Sequence, residues 1–266
     1  MKIKVNDIRV NYRTQGEGEY LVLIHGAGDN LEAWFGQLAS FARSFRVLTY
    51  DLRGHGKTDL GHQEYSQDLW ADDLYMLLKA LNIRQASILG YSMGGGIAAT
   101  FTLKHPQMVK ALILSNAAGA VPLSEQAMKE MDEGRRAQLE ALERDGMRGV
   151  WKLRRTIAFR PGFADENPAL VEHYKRILLL NEPDGYRRVM KALAQPTSAD
   201  FAKLACPTLI IAGEYDILLV PDAARLLQQR IPGSQLKILR TGHASPIEAP
   251  DEYNKAVLEF LSKIGG

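Results

Sequence analysis

The chain has 266 residues, a formal net charge of +2, and 46% hydrophobic and 24% charged residues. That length suits one large domain or one domain with an insertion, and that composition suits an ordinary globular protein. So small a charge gives no electrostatic basis for a nucleic-acid or anionic-membrane partner, and a single cysteine, Cys206, excludes an intrachain disulfide.

The N-terminal stretch "MKIKVNDIRVNYR" alternates apolar and polar residues, which predicts a hairpin. It has no apolar signal-peptide core, and no run reaches the roughly 18 apolar residues of a membrane span. A cytoplasmic protein is expected. "YLVLIHG" (20–26) reads as a strand buried on both faces. A helical stretch (about 31–43) and the strand "FRVLTYD" (45–51) follow. Residues 66–81 place Leu69, Leu74, Leu77, Leu78 and Leu81 on one helical face. Then come the strand "ASILGY", a helix from Met93 to about His105 and the strand "VKALILSN". This alternation predicts a mostly parallel sheet with helices on both faces.

The rhythm breaks after Asn116. Residues 120–201 offer no convincing strand and read as amphipathic helices separated by "RDG", "FRPGFADENP" and "NEPDG". The strand pattern resumes at "CPTLIIAGE" (206–214), followed by a helix (222–230), the strand "QLKILR" and a last helix (251–263). The expected organisation is an α/β core of residues 1–119 and 202–266, with a helical cap of residues 120–201 inserted.

The stretch "GYSMGGG" (90–96) puts four glycines and a serine where a strand ends and a helix begins. Glycine costs a helix about 1 kcal/mol against alanine, so the composition needs a reason. Gly90-Tyr91-Ser92-Met93-Gly94 fits G-x-S-x-G in a strand-turn-helix context, the arrangement that exposes a nucleophilic serine on a strained turn. Side chains two positions either side of Ser92 would collide with neighbouring elements. Gly95 and Gly96 would let the helix lie close to the sheet and to the oxyanion loop.

A serine hydroxyl needs an adjacent base. Of six histidines, His62 and His173 lie in polar surroundings, His105 sits before Pro106, and His25 and His55 sit in the glycine-rich turns "HGAG" and "RGHG". His243, in "RTGHASPIEAP", follows the last strand, where its loop opens on the same sheet edge as Ser92. It is the expected base. The imidazole needs a carboxylate to fix its tautomer. Asp216 follows "TLIIAGE" at that edge, Glu214 has a structural role, and no carboxylate lies between Lys110 and Glu125. Asp29 lies near the expected mouth. The oxyanion donors are expected to be Met93 N–H, which opens a helix whose dipole favours negative charge, and Ala27 N–H, with Gly28 as the alternative.

These segments together resemble the α/β-hydrolase fold family: "HGAG", "DLRGHGKTD" (51–59), "GYSMGGG", "AGEYD" with Asp216, and the run from His243 onward. The resemblance covers essentially the whole chain. It implies an eight-stranded, mostly parallel sheet, a helical cap and structural roles for the arginine and glycines of 53–56. Within the family the spacing is most similar to small carboxylesterases, 3-oxoadipate enol-lactonases and cofactor-free perhydrolases. A serine nucleophile disfavours dehalogenase and epoxide-hydrolase chemistry, which needs a carboxylate there. The implied activity is hydrolysis of a small ester or lactone through an acyl-enzyme, with no metal or organic cofactor. Transfer of the acyl group to peroxide or an alcohol would use the same residues, and a slow-turnover ligand receptor would keep them as well.

Two readings fit the cap stretch "RGVWKLRRTIAFR" (148–160), which holds five cations and no acid. It attracts an anionic substrate, or it is a solvated face with Arg154 and Arg155 paired to acids of the preceding helix. Trp151 is a candidate substrate contact. Phe159, Phe163 and Tyr186 serve either a pocket or packing.

Overall fold

Strands of almost unbroken apolar sequence build the centre of the sheet. In the computed structural model, which describes residues 1–117, 125–195 and 200–264, these are β3 (Tyr20–Ile24), β4 (Arg46–Tyr50), β5 (Ala86–Tyr91), β6 (Val109–Ser115) and β7 (Thr208–Gly213). β5 and β7 are buried at every position, as strands covered on both faces must be. The hairpin β1 (Lys2–Val5) and β2 (Ile8–Gln15) closes through Asn6 at φ 51°, a residue type that tolerates the left-handed region in a tight hairpin turn. With β8 (Gln235–Leu239) they complete an eight-stranded sheet of order β1-β2-β4-β3-β5-β6-β7-β8. β1 and β2 run antiparallel to their neighbours and the remaining pairs are parallel.

Helices cover both faces. On one lie α2 (Gln67–Ala80), α3 (Met93–Lys104) and α8 (Pro221–Arg230), contributing Leu74, Leu77, Ile97, Phe101 and Leu227 to a core with Val22, Ile88 and Leu112. On the other, α1 (Leu38–Phe41) and α10 (Pro250–Ser262) bring Phe41, Tyr253, Val257 and Phe260 onto Leu21, Leu89 and Ile113. The expected helix over 31–43 is instead a 3-10 turn (Leu31–Trp34) and the single turn α1. Gly36 lies between them, so close to the Pro250 ring that an added Cβ would sit 3.1 Å from its Cβ. The chain is bent there to seat the start of α10.

Between β6 and β7 the described residues contain no strand. They form α4 (Glu125–Ile157), α5 (Phe163–Glu166), α6 (Pro168–Leu178) and α7 (Pro183–Ala192), and α4 breaks at Gly146, φ 60° and ψ −153°. The expected boundary at 119–120 lies outside the described residues. The one at 201–202 falls in a 3-10 turn, Phe201–Lys203, whose phenylalanine is fully buried. The short α9 (Ser245–Glu248) links β8 to α10. Among the described residues no helix is long and apolar enough to cross a membrane.

Strand register fixes what meets at the sheet's carboxyl edge. Ile24 pairs with Gly90, Tyr91 with Ser115, Ser115 with Ile211, and Gly213 with Leu239. The loops after β3, β5, β6, β7 and β8 therefore open side by side, where open α/β sheets carry their sites.

Candidate active site

Ser92 sits at φ 53° and ψ −119°, a left-handed conformation that a non-glycine residue holds at a cost of about 1–3 kcal/mol. Its neighbours explain how the turn fits. A Cβ on Gly90 would lie 2.2 Å from Gly94 O, and one on Gly94 would lie 2.3 Å from Ile24 O. Backbone occupies the space a side chain would need. Gly94, rather than Gly95 or Gly96, makes the close approach to the loop after β3. Gly95 lies against the sheet, where a Cβ would meet Gly90 O of β5 and Ala117 just after β6, as expected, whereas Gly96 faces Gln67 of α2 and neither meets the loop after β3.

The structure brings Ser92, His243 and Asp216 into one line. His243 Nε2 is 2.9 Å from Ser92 Oγ, and His243 Nδ1 is 2.8 Å from Asp216 Oδ2. Asp216 is buried, its Oδ1 accepts from Leu218 and Leu219 N–H at 2.9 Å, and its Oδ2 also accepts from Asn116 Nδ2 at 3.0 Å. Burial alone would raise this carboxyl. The charge and hydrogen bond of His243, with the donors Asn116 and Leu219, outweigh it and hold the group below its ordinary value. An ionised Asp216 accepts from Nδ1–H, so the Nε2 lone pair faces the serine hydroxyl.

The His243 loop is fastened on both sides. Gly242 N–H donates to Glu248 Oε1 at 2.8 Å, Arg160 N–H to Glu248 Oε2 at 3.0 Å, and Ala244 N–H to Ala158 O at 2.8 Å. Glu248 thus joins the loop to the segment after α4. Burial, with a smaller contribution from the Asp216 charge, pushes its carboxyl to about 7 despite two backbone donors.

Met93 opens α3, so its N–H heads a helix directly after Ser92. In the loop after β3, Gly28 N–H donates to His55 Nε2 at 3.0 Å. Ala27 is half-buried while residues 24–26 and 28–31 are buried. His25 and His55 are turn-forming residues. Each is fully enclosed, and burial drives both imidazoles below their ordinary value. Kept neutral, their Nε2 atoms accept from Leu52 N–H and Gly28 N–H. Arg53, Asp73 and Asp7 form a structural ion cluster beneath the turn, at 2.7 Å for each of the two bridges.

The expected pairing with acids of the preceding helix fails for Arg155, which faces Asp165 of α5, and most sharply for Arg154. It is buried, and its acid partner is Asp29 of the loop after β3, at 3.2 Å, not an acid of the preceding helix. Its Nη2 also donates to Tyr174 OH at 2.7 Å and its Nη1 to Ala27 O. Lys152 pairs with Asp145 and Arg160 with Glu166, both at the surface, and Arg155 is exposed with Asp165 at 3.9 Å. Those three fit the solvated-face reading. Asn181 Nδ2 donates to Gly28 O at 2.7 Å, a second link from the insertion to this loop. Trp151 is 6% exposed and meets the Tyr174 ring edge-on. Phe159 and Phe163 stack, and Tyr186 is buried. His62 and His173 are exposed, His105 stacks on Tyr75, and Glu214 is an exposed partner of Arg240.

Sequence reasoning missed Asn116, Glu248, Asn181 and the target of Arg154. Asn116 was the most accessible of these: it directly follows β6, which lies between β5 and β7, so strand order brings it to the same edge as Asp216. Among the described residues no group of three or more His, Cys, Asp or Glu gathers as a metal site would.

A model of the α/β-hydrolase fold matches residues 19–250. A curated relative, 3-oxoadipate enol-lactonase 2 of Acinetobacter baylyi, is 30% identical over 98% of this chain and 96% of its own length. Among solved structures, a thermophilic esterase from Thermogutta terrifontis superposes with a TM-score of 0.90 at 27% identity, covering 99% of both chains. The enol-lactonase from Burkholderia xenovorans LB400 gives 0.87 at 26% identity, over 98% of this chain and 100% of that one.

Proposed function

The chain belongs to the α/β-hydrolase family, and from that premise we propose that it is a serine hydrolase cleaving small carboxylic esters or lactones through an acyl-enzyme. The observation that carries the reading is the continuous line from Asp216 through His243 to Ser92, at 2.8 and 2.9 Å. Ester and lactone bonds as the target are supported by the enol-lactonase and esterase names of the relatives.

In this reading Ser92 Oγ attacks the acyl carbon while His243 Nε2 takes its proton. Asp216 stabilises the imidazolium across Nδ1–H without itself becoming protonated. The carbonyl oxygen becomes an oxyanion facing Met93 N–H and Ala27 N–H, donors fixed before reaction and so free of reorganisation cost. As the tetrahedral intermediate collapses, the C–O bond to the leaving group breaks and His243 Nε2–H protonates the departing alkoxide. For a lactone that oxygen stays on the acyl chain. Water then repeats the sequence: His243 takes its proton, the hydroxide oxygen bonds to the acyl carbon, and Ser92 leaves as the alcohol. The insertion of residues 120–201 serves as a cap, with Trp151 as a wall acting through Tyr174.

The test is turnover of p-nitrophenyl acetate and butyrate. Ser92→Ala and His243→Ala each lower kcat by about 10⁴–10⁶, and the double variant is scarcely worse, because such residues act as a unit. Wild-type rates in both single variants would sink the reading.

A further inference from the structure

The backbone that carries Ala27 N–H is a four-residue turn, Gly26 to Asp29. Asp29 N–H donates to Gly26 O at 3.2 Å, and Gly28 takes φ 73° at the third position, where a type II turn places glycine. Types I and II differ chiefly by rotation of the central peptide, here Ala27–Gly28, so a turn of this kind has a second orientation within reach.

Both ends of that central peptide are held from outside the turn. Gly28 N–H donates to His55 Nε2 at 3.0 Å, and Ala27 O accepts from Arg154 Nη1, a residue 127 positions away in the insertion. The preceding peptide is held as well, because Gly26 O accepts from Asp29 N–H and lies 2.8 Å from His25 Nδ1. N–H and C=O point in opposite directions across a trans peptide, so holding Gly26 O aims Ala27 N–H the other way.

Arg154 is itself fixed. Its side chain is 11% exposed, and Nη2 donates to Asp29 Oδ1 at 3.2 Å and to Tyr174 OH at 2.7 Å. Tyr174 OH in turn donates to Asp29 Oδ1 at 2.7 Å. One planar guanidinium therefore ties a carbonyl, a carboxylate and a phenol together. A lysine ammonium keeps the charge but cannot reproduce that fork.

We infer that Arg154 is a positioning residue for the oxyanion hole: from the insertion, it holds Ala27 O and also Asp29, whose own N–H holds Gly26 O, and so fixes the turn in which the Gly26–Ala27 peptide presents Ala27 N–H to the oxyanion. This rests on the serine-hydrolase reading of Ser92. It gives the insertion a share in the chemical step as well as in enclosure. Displacing one oxyanion donor costs up to about 10²–10³ in rate, and the loss falls on kcat because the interaction strengthens in the transition state.

The experiment compares wild type, Arg154→Lys, Tyr174→Phe and Ser92→Ala with p-nitrophenyl butyrate and an alkyl trifluoromethyl ketone, whose adduct with the serine carries the oxyanion. In Arg154→Lys, kcat falls about 10–100-fold while KM stays within about threefold. The inhibition constant of the ketone rises by the same factor as kcat falls, which a merely structural role would not produce. Tyr174→Phe keeps the ring but removes one of the guanidinium's three partners and leaves Asp29 and Ala27 O, and lowers kcat about three- to tenfold with the same parallel. If Arg154→Lys fails to fold, Tyr174→Phe decides on these readouts. Folded variants with wild-type kcat, or with KM alone altered, overturn the assignment. A Ser92→Ala protein that keeps wild-type turnover overturns the hydrolase reading and the assignment with it. An inactive Ser92→Ala beside a fully active Arg154→Lys overturns the assignment alone.

Discussion

The sheet edge and the helical insertion solve the same problem in different ways. At the edge, Ser92 and Asn116 directly follow β5 and β6, and Asp216 and His243 lie in the short loops after β7 and β8, whose register brings those loops side by side. In the insertion, Arg154 and Asn181 reach the site by crossing to the loop after β3, and no strand pairing holds their backbone. Backbone hydrogen bonds position the first group. Buried side-chain bonds position the second. A site built on strands tolerates little change of volume beneath it, whereas a helix packed over the top leaves room on its outer face.

Two glycines, one in each region, mark the extremes. Gly94 lies under the elbow, where an added Cβ would be 2.3 Å from Ile24 O, a backbone atom that cannot move aside without shifting β3. Gly94→Ala should lose stability at or beyond the upper end of the roughly 1–3 kcal/mol typical of overpacking. Thermal unfolding and soluble yield measure it, and a melting temperature within a degree or two of wild type would contradict the packing argument. Gly134 in α4 of the insertion meets nothing within 4 Å and has ordinary helical geometry. Gly134→Ala should gain about 0.4–1 kcal/mol by restricting the unfolded chain. A loss there would mean that the outer face of α4 is covered by something.

The same contrast explains what could be read from the sequence. The sheet, its helices and the line Ser92–His243–Asp216 were legible because each rests on a local pattern: apolar runs for strands, G-x-S-x-G for the turn, and loops after strands for His243 and Asp216. Topology then does the long-range work. The partner of Gly28 N–H was not legible, since it is His55, 27 residues away. Arg154 was misassigned for a related reason. In a run of five cations each looks solvated, and nothing local says that one of them turns inward to Asp29 across 125 residues. The helix over 31–43 failed at Gly36 because the contact that bends it comes from Pro250.

Glu248 belongs to both regions, since one carboxylate holds Gly242 of the His243 loop and Arg160 beyond α4. Its behaviour with pH should therefore show how firmly they are joined. Burial raises its carboxyl from the ordinary 4.5 to about 7 in the folded protein, with the Asp216 charge adding and Arg160 opposing. Between these values the native state binds the proton more tightly than the unfolded chain does. Stability from this group is thus complete below about 4.5 and is lost as pH rises through about 7. In Glu248→Gln the titration is gone. The difference in melting temperature, wild type minus variant, should shrink between pH 5 and 8 by a few degrees at most, the scale on which about 1 kcal/mol appears in a chain of this size. Melting curves at pH 5, 6, 7 and 8 test this, and a difference that stays constant across the series would show that the carboxyl titrates no differently folded and unfolded. A shrinking difference would mean that burial of the Glu248 carboxyl between loop and insertion favours its protonated form in the fold.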